Sequence, residues 1–126
     1  MEKLTLKLLP ETFGVCRLDK DSPIPEWALS GEMFFLAKTL DELSVVCPQT
    51  QIPGGVLVEK DWKAFKVAGP LGFVLTGIVA SLADPLAKAG ISILYISTYE
   101  TDYLFLAEKN LEQAKEILQS FCTINE

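Results

Sequence analysis

The chain contains no histidine. That absence removes the usual general base near neutral pH, the usual partner of a nucleophilic serine or cysteine, and the commonest zinc ligand. Most hydrolase and metalloenzyme readings fall with it. No other nucleophile stands beside a base in the sequence, so no catalysis is expected. Cysteine is also scarce. Cys16, Cys47 and Cys122 are odd in number, far apart and set among apolar neighbours, without a CxxC pair. They read as reduced, buried residues of a cytoplasmic protein that needs no metal or other cofactor. No apolar run approaches the roughly 20 residues of a membrane helix. The first residues, MEKLTLKLLPE, lack the long apolar core and small-residue cleavage site of a signal peptide. Basic residues are outnumbered, 11 against 17 acidic, for a net charge of -6. That balance argues against nucleic acid or an anionic membrane surface as the main partner, and suits a cationic or zwitterionic ligand.

What is present is apolar material in short, well-punctuated runs. With 126 residues, 49% of them hydrophobic, the chain can build one domain or two very small ones sharing a core. Leu4 to Leu9 alternates as a half-buried strand and stops at Pro10, and a second strand runs from Phe13 to Leu18. Pro23 to Trp27 reads as a one-turn or irregular bridge, with Trp27 plugging one end of the core. Met33 to Lys38 and Leu43 to Cys47 are two further strands around a Thr39–Glu42 turn. The segment from Gln49 to Gly55 marks the expected boundary, giving a β-rich unit over residues 1–55 and a second unit over 56–126.

In the second half, Val56 to Val67 holds two apolar patches around Glu59-Lys60-Asp61, and its latter part, Trp62 to Val67, alternates as a strand. A loop follows in which glycines let a ligand approach the backbone closely. Thr76 is placed to cap a helix from Gly77 to Ala89, with Pro85 predicting a kink or break near Ser81 to Asp84 and Gly90 ending it. Asn110, with Gln113 as a weak capping box, opens a last helix whose apolar stripe is Leu111, Ala114, Ile117, Leu118 and Phe121. Strand, helix, strand, strand and helix in that order predict an α+β sandwich, an antiparallel sheet with two helices on one face. The uncovered part of such a sheet predicts a homodimer.

The most informative stretch is GISILYISTYETDYLFL, Gly90 to Leu106. Ile91 to Ile96 and Tyr103 to Leu106 read as an antiparallel strand pair around a polar hinge, Ser97 to Asp102. The hinge carries hydroxyls, two carboxylates and backbone amides not obviously committed to a ladder, an inventory suited to a small zwitterion. In particular, Asp102 suits an ammonium and free amides suit a carboxylate. The plainer reading is that Thr and Asp only cap a tight turn here.

From Gly77 to Leu118, the ordered pattern of Gly-Ile at a helix start, Leu-x-x-Pro-Leu-Ala, Ala-Gly-Ile-Ser-Ile and Ser-Thr-Tyr-x-Thr-Asp-Tyr resembles the ACT-domain family. It is similar to the aspartokinase-like and cytosolic arginine-sensor-like branch, above all to small bacterial proteins made of two ACT-like units. The resemblance covers about Trp62 to Phe121, and more weakly Leu43 to Pro48 in a first unit. It implies a ferredoxin-like βαββαβ unit that binds an amino acid between units at a subunit interface, without catalysis, and biases an unidentified protein partner. It places Gly72, Leu75, Thr76, Gly77 and Ile78 on the loop side of the site, and Ser97, Thr98, Tyr99, Thr101 and Asp102 on the strand side. Leu75 departs from the acidic residue that would hold a guanidinium, which puts arginine itself in question. The alternative function is a structural or protein-interaction domain that recruits a partner by strand addition and holds no small molecule.

Overall fold

A computed structural model describes residues 4–68 and 77–126 of the chain. Residues 11–62 pack as one compact unit, while 4–10, 63–68 and 77–126 pack as another.

In the first unit β2 (Phe13–Leu18) lies between two antiparallel partners. On one side β4 (Leu43–Pro48) pairs with it from Phe13↔Pro48 to Leu18↔Leu43, and β3 (Phe35–Lys38) follows β4. On the other side stands the first half of β5 (Leu57–Val67). One face gathers Cys16, Leu43, Val45 and Cys47 under Ala28, with Trp27 and Phe34 packed against them. Ala28 and Trp27 come from the 3-10 turn Glu26–Leu29, the short bridge that the prolines predict. Cys16, Cys47 and Cys122 are all buried thiols outside any disulfide.

The polar run Glu59-Lys60-Asp61 between the two apolar patches lies inside β5. It forms a β-bulge in one continuous strand, where pairing steps from Phe13↔Trp62 to Val15↔Glu59. Asp61 takes a left-handed φ of 66° there, a conformation that strains a residue with a Cβ. Gln49 secures it, its Oε1 accepting from the Asp61 N–H at 2.6 Å and its Nε2 donating to Asp61 Oδ1 at 3.0 Å.

Cys16 and Cys47 share a hydrogen bond in this core, and burial raises both thiols. For Cys47, burial first and the neighbouring Cys16 second push the pKa from 9.0 to about 11. The folded value lies above the unfolded one, so the stability contributed by the neutral thiol is complete below pH 9 and is lost as pH rises towards 11. Urea melts across that window should show falling stability, and Cys47→Ala should flatten part of the fall. An identical slope in wild type and variant would contradict it.

The second unit follows the order β5, α1 (Ile78–Lys88), β6 (Ile93–Ser97), β7 (Asp102–Ala107), α2 (Leu111–Gln119) and β8 (Cys122–Asn125). This is the βαββαβ order of a ferredoxin-like fold. β6 and β7 pair antiparallel from Ile93↔Leu106 to Ser97↔Asp102, and β7 also pairs with β5. Beyond β5 comes a strand from the far end of the chain. β1 (Leu4–Leu8) lies between β5, to which it is antiparallel, and β8, to which it is parallel. The packing therefore assigns residues 4–10 to the second unit, whereas the sequence reading grouped them with the first. Alternating leucines specify a half-buried strand but not which sheet receives it. β8, too short to stand out from its own four residues, completes that sheet.

Both helices pack on one face. Ile78, Leu82 and Leu86 of α1 and Ala114 and Leu118 of α2 share a buried cluster with Leu6, Phe65, Val67, Leu104 and Leu106 from the strands. Helix α1 runs through Pro85 as one element, without the break that was one of the two predicted outcomes. Pro85 removes one intrahelical donor, but fully buried Leu82 and Leu86 hold the turns on either side. The helix closes in a Schellman arrangement: Gly90 at φ 76° donates to the Ala87 carbonyl and Ile91 to that of Leu86. At α2, Asn110 occupies the N-cap position, but its side chain makes no capping bond, so the capping box does not form. A 3-10 turn, Glu108–Asn110, leads into the helix instead.

Candidate functional site

The polar hinge is the tip of the β6–β7 hairpin. Ser97 and Asp102 form its last paired position, and the Thr98 N–H donates to the Thr101 carbonyl at 2.8 Å. The Thr98 hydroxyl adds a second bond to that carbonyl at 3.0 Å and accepts from the Thr101 N–H at 3.4 Å. Two amides that the sequence left uncommitted are therefore used by the turn itself. Ser97, Thr98, Tyr99 and Glu100 are exposed, Tyr99 at 81%.

Thr101 is different. It is the buried polar residue of the described part, 5% exposed, and its hydroxyl donates to the Val67 carbonyl at 2.5 Å. Val67 ends β5, just before the segment leading to α1. Thr101 thus pins the hairpin tip to the end of β5 where that segment leaves. Replacing it with valine keeps the volume but leaves the Val67 carbonyl without this donor, a loss of about 1–3 kcal/mol. Chemical unfolding would measure it, and an unchanged midpoint would show the bond to be dispensable.

Asp102 begins β7 on the helix-covered face. Side chains two apart share a face, and Leu104 and Leu106, next in that row, lie in the core beneath the helices. Ile78, the first residue of α1, belongs to the same cluster. The carboxylate is partly buried and accepts a hydrogen bond from the Tyr95 hydroxyl, 2.7 Å to Oδ2. Burial above all, then the hydrogen bond and negative charge of Asp102, push the Tyr95 phenol pKa well above its ordinary value. Tyr95 therefore remains a donor throughout the physiological range. The sequence reading missed it, treating it as one apolar residue of a strand.

On the other side, Gly77 holds the N-cap position of α1 at φ 81°, with no side-chain cap. Among the described residues a Cβ there would meet nothing within 4 Å, and glycine is required by the backbone angle. The intrahelical ladder starts with the Ser81 N–H to the Gly77 carbonyl. The preceding amides point out of the helix end with its partial positive charge. Ile78 can offer only its backbone, since its side chain is 8% exposed in the core. Gly72, Leu75 and Thr76 lie outside the described residues. The hairpin holds Ser97, Thr98, Tyr99, Thr101 and Asp102 at one tip, and Ile78 belongs to the core cluster that includes Leu104 and Leu106.

A groove of about 520 Å³ lies elsewhere, between the helices, lined by Ser81, Pro85, Glu116, Ile117, Ser120 and Phe121. Its two hydroxyls are turned into their own helices, Ser81 onto the Ile78 carbonyl and Ser120 onto that of Ile117. It offers little convergent polar chemistry. Among the described residues no three His, Cys, Asp or Glu side chains are grouped to hold a metal ion.

The sequence model of the ACT domain matches residues 57–120. The chain belongs to the ACT-domain family. A further family model, of an N-terminal domain, matches residues 11–55. The cytosolic arginine sensor for mTORC1 subunit 1 of Bos taurus is 36% identical to this ACT protein over 100 residues, 71% of this chain and 30% of the sensor. The chain thus spans less than a third of that relative's length. A crystal structure of an Agrobacterium tumefaciens protein superposes at a TM-score of 0.92, with 36% identity, covering 98% of this chain and 93% of that one. The regulatory subunit of aspartate kinase from Thermus thermophilus shares the fold, at a TM-score of 0.64 and 11% identity over 92% and 95% of the two chains. The ACT unit therefore has a ferredoxin-like architecture.

Proposed function

We propose that this ACT protein is a non-catalytic, amino-acid-binding regulatory module, working as a cytoplasmic homodimer with ligand held between ACT units at the subunit interface. The observation that carries the reading is the placement of Asp102. A partly buried carboxylate stands at the first position of β7, in the row of Leu104 and Leu106, and Ile78 at the start of α1 belongs to the core cluster that holds those leucines. A carboxylate for an ammonium and a helix start for a carboxylate are the two halves of a zwitterion site. In this reading Thr98 and Thr101 hold the hairpin in shape. Ser97, Tyr99 and Asp102 face the ligand with Gly72, Leu75, Thr76, Gly77 and the Ile78 amide. Binding would bias a protein partner. The family and the printed role of the bovine relative as an arginine sensor support the ligand class. No described helix is long and apolar enough to cross a membrane.

A thermal-shift screen of the purified chain against the twenty amino acids tests this. Ligand at a hundred times its Kd should add about 2.7 kcal/mol, a shift of several degrees. A flat screen at millimolar concentrations would contradict it and return the chain to the interaction-domain reading.

A further inference from the structure

We propose that the groove between α1 and α2 is a docking surface for a protein partner, which fills it with a large apolar side chain next to a lysine or arginine. The groove is separate from the hairpin tip, so this inference goes beyond the ligand site and is tested without any amino acid.

The groove, about 520 Å³, follows one turn of each helix. Ser81 and Pro85 line it from α1, four residues apart, and Glu116, Ile117, Ser120 and Phe121 line it from α2 and the residues just after, with the same spacing within each pair. Pro85, Ile117 and Phe121 are each only partly buried, although Ile117 and Phe121 also pack on the core cluster. They leave apolar surface that a partner's apolar side chain can cover.

The polar groups set the partner's charge. The Ser81 hydroxyl donates to the Ile78 carbonyl at 2.8 Å and the Ser120 hydroxyl to the Ile117 carbonyl at 2.7 Å, so both oxygens are left as acceptors. Pro85 has no N–H, and the Ser81 carbonyl therefore lacks the bond that a regular helix would give it. Glu116 is an exposed carboxylate without an ion pair among the described residues. Its neighbour Lys115 is engaged by Glu112 at 3.5 Å and Glu126 at 3.1 Å. No lining side chain offers a free donor or a positive charge. A partner bearing a cation matches this rim, a carboxylate or phosphate is repelled, and the chain's net charge of -6 favours the same sign at long range. An exposed ion pair adds little affinity by itself. Apolar cover must therefore hold the partner while Glu116 selects it, which requires a segment carrying both groups.

The test selects a random displayed peptide library on the full chain, then titrates the recovered peptides by fluorescence polarisation. They should carry lysine or arginine next to a large apolar residue, and should shift the amide signals of Ser81, Glu116, Ile117 and Ser120. Glu116→Gln should weaken them by about twofold to fivefold, and Glu116→Lys by about tenfold or more. Both changes are at an exposed position, and circular dichroism checks that the variants are folded. A peptide whose cation is replaced by glutamate should lose binding to wild type and regain it with Glu116→Lys. Recovery of no peptides, recovery of acidic or neutral ones, or affinity indifferent to Glu116→Lys overturns the proposal. So does a dimer that Glu116→Lys splits in sedimentation, which would place a second copy of the chain in the groove. A flat amino-acid screen would remove the ligand reading and leave this inference standing.

Discussion

A chain that begins at Pro10, with β1 removed, is expected to lose the cooperative fold of its ACT unit. β1 is not an appendage to that sheet. It fills the slot between β5 and β8, with three register pairs on one side and four on the other. Leu6, at 0% exposure, sits in the core with Leu4 and Leu8 packed around the same cluster. Removing one fully buried leucine side chain costs about 2–5 kcal/mol. Truncation removes that contact, its two flanking leucines and both ladders, against a typical total stability of about 5–15 kcal/mol. Far-UV circular dichroism with urea melts reads the outcome directly. An unaltered cooperative transition would show that β8 closes on β5 without β1, and the account of the sheet would be wrong.

The second large effect concerns binding. Asp102→Ala should weaken the amino acid by about tenfold to a hundredfold, the 1.5–3 kcal/mol of a hydrogen bond to a charged group. The alanine variant also leaves the Tyr95 hydroxyl without its carboxylate partner. Asp102→Asn separates the two effects, because the amide oxygen can still accept from Tyr95 while the charge is gone. Both variants should remain folded, since Asp102 is only partly buried at the end of its strand. Calorimetric titration measures the affinities. Wild-type affinity in Asp102→Asn would remove the carboxylate from the site.

The hairpin was legible in the sequence because its signals are local. Two β-rich runs flank a polar hinge, and the observed register closes on Ser97↔Asp102 at the edges of that hinge. The helices were legible from their apolar periodicity, and Gly90 from its position after the last periodic residue. Long-range relations were not. Nothing within LTLKL says that it lies between β5 and β8, and the parallel β1–β8 pair joins opposite ends of the described chain. Pro85 does not break the helix, because its local penalty is outweighed by the burial of Leu82 and Leu86. At the site, Asp102 was recoverable from its chemistry, whereas Tyr95 was hidden by its apolar neighbours. The signal that would have revealed it is geometric: a hairpin turned at Tyr99-Glu100 makes positions 95 and 102 diagonal neighbours. Thr98 carries the turn-cap role that the plainer reading assigned to the hinge, whereas the Thr101 hydroxyl reaches the Val67 carbonyl and the Asp102 carboxylate accepts from Tyr95.

The most direct measurement is a two-dimensional ¹H–¹⁵N correlation spectrum of the chain, titrated with the amino acid that gives the largest thermal shift. The account predicts the largest amide changes at Gly77, Ile78 and Ser97 to Asp102. Changes confined to the interhelical groove around Ser81, Glu116 and Ser120, with the hairpin silent, would contradict it.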